Sequence, residues 1–425
     1  MNKLYKNLNW LAWVKIFLVI LYVFNLLSIV IPYIEAGLFD PMGLDFLAFW
    51  SAGKIAITDG FPYIYNLDRL AEVQYLAVSN PQVPFSQFHP VPSPLFPIFI
   101  LPFALISHLN APSSFTVWTI LSTLLLIGYL AYFLKQTNPH GKQIHWFLIL
   151  LISGTYAVVL NIYWGQVEVF LLIFAGEFTL AFIRRKPLLA GMWLAGMLLK
   201  PQILVLIIPW LLLARQWKVL WGFGGMAAVI LGGSLLLSGV DGFTEVFRLW
   251  FQYVPGIYSN APQTMINWRM PGIRLNEATS SNLGWFITGA GMLLTLLLTR
   301  KLIPSKPEKT SPEEMILHLT GVLAASLIFT WHSHMHMVMV LIPLLVYAWQ
   351  QSSLPQTTIV LWMLLPAVLR VAVILFNIVL QISNLPTIEG LDGFVHGISG
   401  LLINVYLILK VLKYQNPIQT EAAPV

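Results

Sequence analysis

The chain has 425 residues, of which 58% are hydrophobic and 9% charged. Soluble domains carry about a quarter charged residues, so a soluble fold is excluded and a polytopic membrane protein is implied. With no cysteine in the chain, disulfides, thiolate catalysis and Cys-ligated metals are excluded as well, and the net charge of +6 sits in short basic runs between apolar segments, which points to membrane loops and not to nucleic acid.

A membrane span needs about 20 mostly apolar residues. Candidate segments fall at 13–33, 94–109, 113–134, 144–160, 167–183, 188–213, 217–239, 283–300, 314–331, 336–350, 356–382 and 394–413. They predict an all-α bundle of about 10–13 transmembrane helices, in a single domain over 1–415 with a flexible tail at 416–425. The basic, then apolar N-terminus has no small-residue cleavage site and reads as a retained first span. Two longer hydrophilic or mixed stretches interrupt the pattern, at 34–93 and 240–282. Lys3 and Lys6, "RRK" at 184–186, "RQWK" at 215–218, "RKLIPSKPEK" at 300–309 and "KVLK" at 410–413 are assigned to the cytosolic side, so both long stretches become outer loops. One conflict follows. With "RRK" and "RQWK" both inside, segment 188–213 must enter and return, although it is too short for two full spans. Either two half-helices meet at Lys200–Pro201, where the proline breaks the helix, or one tilted span leaves one basic loop outside.

Within the first outer loop, Leu44, Leu47, Ala48 and Ile55 predict an amphipathic helix lying at the membrane interface, opened by Asp45. Asp45 has two readings: an acid in the first helical turn, or an outward-facing general base. Gln166 and Glu168 in "YWGQVEVF" sit in a polar turn facing the same side. Lys200 in "LLKPQ" needs a partner or an escape to the interface; a phosphate supplies the first and snorkelling the second. In "TWHSHMHMVM", His332 and His336 share a face of a helix, and all three histidines, with His334, share a face of an extended segment. They suit a metal or an oxyanion, and no neighbouring carboxylate completes a metal shell. Arg370 lies mid-segment in "LPAVLRVAVIL", as a cavity-lining or paired charge.

These motifs, in this order, resemble the polyprenyl-phosphate-sugar-dependent glycosyltransferases of family 87. The resemblance rests on "DFLAFWSAGKIAITDGFPYIYN", with its Gly-x-Pro-Tyr ending at Tyr63, and on the Pro-rich "FHPVPSPLFPIFILPFALI". It rests most on the Gly-Gln turn and Lys-Pro motif of the block from Tyr163 to Lys218, and also on "INWRMPGI" and "TWHSHMHMVMVLIPLL". It spans about residues 40–345. The chain departs from the family at His89, at Trp268 and Arg269 after Asn267, and in its spread-out histidines.

The resemblance implies a C-type glycosyltransferase bundle in the plasma membrane with its active site on the extracytoplasmic side. The implied reaction moves a hexose, with mannose the first candidate, from a polyprenyl-phosphate donor to a hydroxyl of a lipid-linked or envelope glycan acceptor, with inversion. Asp45 matches the catalytic acid position and acts as general base. Lys200, His334, His336, Gln166, Arg269 and Arg274 become donor-binding candidates; Tyr63, Glu168, Asn267, Trp331 and Arg370 become cavity candidates. His332 is assigned a structural role. No cofactor is required and a divalent metal is not favoured; the partners are the lipid-linked donor, the glycan or glycolipid acceptor and membrane lipid. A transporter or lipid flippase is the rival, but the sequence lacks the repeat symmetry of one.

Overall fold

The computed structural model describes residues 13, 15–24, 44–77, 84–138, 146–253, 262–388 and 390–415. Lys3, Lys6, the end of the first predicted span and the 416–425 tail lie outside these. Every regular element among the described residues is helical. Helix α1 covers Lys15–Phe24. The first long loop contains α2 (Leu44–Thr58) and α3 (Leu67–Ala77), followed by the short α4 (Leu101–Ile106). Then come α5 (Ala111–Thr137), α6 (Trp146–Ser153), α7 (Tyr156–Trp164), α8 (Glu168–Ile183), α9 (Pro187–Ala195), α10 (Ile207–Leu213) and α11 (Trp217–Arg248). The remainder is α12 (Arg269–Thr279), α13 (Gly284–Lys301), α14 (Pro312–Phe329), α15 (Ile342–Gln350), α16 (Gln356–Ile382) and α17 (Leu391–Tyr414).

Among the described residues, five helices are long and apolar enough to cross a membrane: α5, α11 with its extension to Phe251, α14, α16 and α17. The pair α6 and α7, bent by 59°, makes a sixth if it is one broken span. The chain is an integral membrane protein. Several of the apolar segments read as spans from hydropathy are shorter helices, at Lys15–Phe24, Pro97–Ile106, Pro187–Leu199, Pro201–Leu213 and Met335–Gln350. Proline sets some of these breaks, since Pro201 cannot continue the helix that precedes it.

Polar contacts gather the basic runs at one end of the bundle. The Arg184 guanidinium donates to Gln136 Oε1 at 2.7 Å, next to Lys135. Gln350, at the end of α15, donates to the Leu134 carbonyl at 3.1 Å. Trp210 of α10 donates to the Leu302 carbonyl at 3.0 Å, and Gln415 to that of Lys301 at 3.2 Å.

The path of 187–213 follows from its packing on α11. A Cβ on Gly222 would fall 2.0 Å from the Leu188 carbonyl oxygen, and one on Gly191 would fall 1.9 Å from that of Val219. Further along, Ala195 clusters with Ala227 and Ile230. Successive positions of α9 meet successive positions of α11, so the two helices run parallel from the basic end. The chain must return through α10 to begin α11 there. Residues 187–213 are therefore a re-entrant hairpin with Lys200 at its tip, which satisfies both basic runs without two full spans.

One expectation about the loops changes. Helix α2 does not lie on the interface: Phe46, Leu47, Ala48, Phe49, Trp50, Ser51, Ala52 and Ile55 are all buried. Its apolar side chains surround the whole helix, and such helices are enclosed. Gly53 permits that enclosure, since a Cβ there would meet the Phe103 backbone at 2.5 Å. The surface-lying helix of this loop is α3, which buries only Leu70 and Gln74. The stretch 240–282 is also largely helical: α11 continues across a kink at Gly239 (φ 68°) to Arg248, and α12 occupies 269–279.

The hairpin makes a direct topological prediction. Because the chain has no native cysteine, Lys186→Cys and Lys218→Cys, tested singly, should react with a membrane-impermeant maleimide from the same side of the membrane. Labelling from opposite sides would establish a single tilted span instead.

Candidate active site

At the end of the bundle away from the basic runs, five buried or half-buried polar side chains form one hydrogen-bonded chain. It starts at the turn between α7 and α8. The Thr155 hydroxyl caps the start of α7 by accepting from the Val158 N–H. Gly165 ends the helix in the left-handed region (φ 62°, ψ 38°), a conformation in which glycine has no Cβ penalty. A side chain at Gly165 is excluded twice over, because its Cβ would lie 2.5 Å from the Cβ of Phe46. This contact presses the turn against the first turn of α2, so the Gln166 amide meets the Asp45 carboxylate. Gln166 donates through Nε2 to Asp45 Oδ2 and accepts through Oε1 from Lys200 Nζ at 3.0 Å. The amide thus presents its donor to an acid and its acceptor to a cation.

Glu168 opens α8 and is fully buried. Its backbone N–H donates to Asn161 Oδ1 at 3.0 Å, locking the turn to α7. Its Oε1 accepts from Lys200 Nζ and faces His336 Nδ1 at 2.8 Å. Its Oε2 is buried with no hydrogen-bond partner. Lys200 arrives from the hairpin tip, where its backbone (φ −138°, ψ 80°) separates two short 3₁₀ helices, Gly196–Leu199 and Pro201–Val205. It is buried, so snorkelling to a surface is not its role.

The histidines follow α14. The chain leaves the helix at Thr330, is extended at His334 (φ −113°, ψ 165°) and enters a 3₁₀ helix over Met335–Leu341. This is the extended reading of the motif: the His332 and His334 rings meet edge to face at 4.9 Å, and those of His334 and His336 stack at 5.8 Å. Segment 266–268 runs alongside, with the Ile266 N–H donating to the Ser333 carbonyl at 2.9 Å and Asn267 Nδ2 donating to that of Thr330 at 2.9 Å. Asn267 is thereby a buried anchor, and Trp268 is another, donating to Thr295 Oγ1 at 2.9 Å. These anchors hold Arg269 with its guanidinium 4.5 Å over the Trp331 ring, which itself stacks on Trp285. Arg269 is buried, and its Nε and Nη1 have no hydrogen-bond partner.

The profile of glycosyltransferase family 87 matches residues 93–311, just over half of the chain. The protein belongs to glycosyltransferase family 87. No curated protein and no solved structure matches it. As a member of family 87 it is a membrane glycosyltransferase, acting on a sugar donor and an acceptor. The matched region contains Gln166, Glu168, Lys200 and Arg269; Asp45, the histidines, Arg370 and α17 come to the same end of this family 87 fold from outside it.

Not every candidate joins the chain of contacts. Tyr63 is exposed, in a turn whose Pro62 packs on Gly242 of α11. Arg274 donates to the Gly390 carbonyl at 3.2 Å. Arg370 lies over the Tyr156 ring at 4.7 Å, in a second cluster with His396, whose ring meets Tyr156 edge to face at 5.1 Å. Tyr156, Asn161 and His396 carry no motif that singles them out in sequence; only the polar character of His396 within an apolar run marks it. His332, expected to be structural, meets the His334 ring edge to face and lies in electrostatic range of Lys200, His336 and Arg269.

The site's electrostatics follow from burial. Helix α2 is not one of the candidate spans, and desolvation pushes the Asp45 carboxyl up from its ordinary value, against the pull of His336, Lys200 and the Gln166 hydrogen bond. In the linker after α14, burial pushes His332 down to about 3 and His334 well below its ordinary value, so both are neutral hydrogen-bonding groups at pH 7. Among the described residues no group of three or more His, Asp or Glu is arranged to hold a metal ion.

The Glu168–Lys200 pair is buried on both sides. Breaking such a pair from one side typically costs about 3–5 kcal/mol, because a buried charge is left uncompensated. Glu168→Gln and Lys200→Met should each lower the thermal unfolding temperature of the detergent-solubilised protein, and the double variant should lose less than the sum. Strict additivity in this double-mutant cycle would mean the two groups are not coupled.

Proposed function

We propose that this family 87 glycosyltransferase moves a hexose, with mannose the first candidate, from a polyprenyl-phosphate donor to a hydroxyl of a lipid-linked or envelope glycan acceptor. The reaction takes place at the end opposite the basic runs, read as the extracytoplasmic side of the plasma membrane. The observation that supports this reading is the chain Asp45–Gln166–Lys200–Glu168–His336, in which an aspartate, a lysine and a histidine are joined by hydrogen bonds.

An acceptor hydroxyl is a weak nucleophile. As its oxygen bonds to the anomeric carbon, its proton passes to Asp45. The bond from the anomeric carbon to the phosphate oxygen breaks and its electron pair leaves with the lipid phosphate. That leaving group needs hydrogen bonds and positive charge more than a proton. Arg269 suits it best, with two guanidinium nitrogens, Nε and Nη1, that lack protein hydrogen-bond partners. Lys200 adds charge, but shares it with Glu168. The neutral His332 and His334 offer hydrogen bonds to sugar or phosphate oxygens. Glu168 is bound to Lys200 and His336, so it holds charges in place and is not the attacking group. With one displacement and no covalent intermediate on the enzyme, the sugar carbon inverts.

The deciding experiment incubates purified protein with a panel of polyprenyl-phosphate sugars and an acceptor extract and follows release of polyprenyl phosphate; no release from any donor would overturn the reading. Asp45→Asn should cost about 10²–10⁴-fold in kcat while leaving the unfolding temperature intact. Near wild-type turnover would remove Asp45 from the role. Chelation with EDTA should leave the rate unchanged, since no metal is assigned a step.

The pH profile adds a check on the base. A raised carboxyl pKa means that the active, deprotonated form is lost at a higher pH as the medium is acidified. The acid limb of kcat/KM should therefore lie above the ordinary aspartate value of about 3.9. Gln166→Leu removes a hydrogen bond that favours the carboxylate and should move that limb to still higher pH. A limb that does not move would separate Gln166 from the ionisation of Asp45.

A further inference from the structure

The rim of the transfer site carries a paired aromatic surface that no step of the proposed reaction uses. Trp331 stands in the linker after α14, between Thr330 and His332, and Trp285 in the first turn of α13. The last turn of α13 holds Arg300 and Lys301 of the basic end, so Trp285 stands at the opposite end, with the site. The two indoles stack with ring centroids 5.9 Å apart and planes 12° from parallel. Indoles are large apolar bodies that gain much from burial, yet Trp331 remains 47% and Trp285 42% exposed.

Tryptophans also line membrane interfaces, where their rings sit at headgroup level. Phe286, the next residue and about 100° further around α13, suits that plain role, being exposed with no stacking partner of its own on the site linker. The indole pair differs in three respects. It joins two elements distant in sequence. The Arg269 guanidinium lies 4.5 Å over the Trp331 ring, so the pair touches the cation assigned to the leaving phosphate. Polar groups also flank it in sequence: His332 follows Trp331, and the exposed Asn282 lies one turn before Trp285, whose N–H donates to the Asn282 carbonyl at 3.2 Å. Flat apolar surface with a few polar groups at its edge is the lining of a small-molecule site. It complements a pyranose ring, which presents C–H groups on its face and hydroxyls around its rim.

We propose that Trp285 and Trp331 form a subsite for a sugar ring of the acceptor beyond the one that receives the hexose, so that the acceptor is an oligosaccharide and not a single sugar. An exposed place at the rim suits the part of a substrate that extends away from the reacting bond, and a donor carrying one hexose has no such part. The role as an acceptor subsite rests on the transferase reading above; sugar binding at the indole pair does not.

The test uses the full-length protein in a detergent without a sugar head group. Its probes are the monosaccharides and linear trisaccharides of mannose, glucose and galactose, with binding followed by saturation-transfer difference NMR. At least one trisaccharide should bind more tightly than its monosaccharide. Trp285→Ala should weaken that trisaccharide about fivefold, the scale of one aromatic stacking contact, and Phe286→Ala should leave it unchanged. No preference for any trisaccharide, unchanged binding in Trp285→Ala, or an equal loss in Phe286→Ala would each overturn the subsite. If Trp285→Ala does not fold, Trp285→Leu replaces it, keeping apolar bulk but not the flat face; weaker trisaccharide binding supports the subsite and unchanged binding overturns it. Once transfer is measured, Trp285→Ala should raise the KM for an oligosaccharide acceptor several-fold and leave the donor KM unchanged. A rise in donor KM alone would overturn the acceptor role and leave Trp285 as a brace for Arg269. Trisaccharide binding that depends on Trp285, with no polyprenyl phosphate released from any donor, would support the sugar site and overturn only the donor reading.

Discussion

The site depends on one buried carboxylate. Glu168 has no exposed surface, and an isolated ionised carboxylate in such a place is prohibitively expensive. It is held by Lys200, by His336 and, through its own backbone N–H, by Asn161. Each of these comes from a different part of the chain. The requirement to compensate Glu168 therefore draws together the α7–α8 turn, the tip of a re-entrant hairpin and the segment after α14. Asp45 is joined to this group by a single amide, Gln166, whose donor and acceptor ends match an acid on one side and an ammonium on the other.

The unusual backbone elements serve that same convergence. Lys200 can reach Glu168 because α9 stops halfway and turns back; a continuous span would carry the lysine past it. Pro201 ends the first arm, while Gly191 and Gly222 let that arm lie against α11 at backbone distance. The histidine segment repeats the device, with a full helix in, a break, and a 3₁₀ turn leading back. Two short elements meeting at one level place polar side chains within an apolar bundle while their stems remain packed.

Charge is divided within the site. Lys200 is committed to Glu168, which leaves Arg269, braced on Trp331 and Trp285, with N–H groups to spare. Asn267 and Trp268 set that brace, so residues 267–269 at the start of α12 act as one unit with two anchors and a working end.

The amino-acid sequence by itself determined the membrane class, the all-helical architecture, the basic end and the family, because hydropathy, charge bias and short motifs are local properties. It also marked Asp45, Gln166, Lys200 and the histidines, since a polar residue in an apolar run stands out wherever the chain folds. Tertiary structure alone decided the rest. The path of 187–213 was undetermined until α9 was seen to run parallel to α11. The burial of α2 escaped notice because many of its neighbours, such as Phe103, Phe115 and Gln166, lie 50 or more residues away. Glu168 was one cavity candidate among several until Lys200 and His336 were brought to it. Tyr63 and Arg274 show the converse, since motif position nominated them and packing placed them apart from the hydrogen-bonded chain. The physical reason is common to all of these: a charge advertises its cost locally, but the partner that compensates it is chosen by contacts distant in sequence.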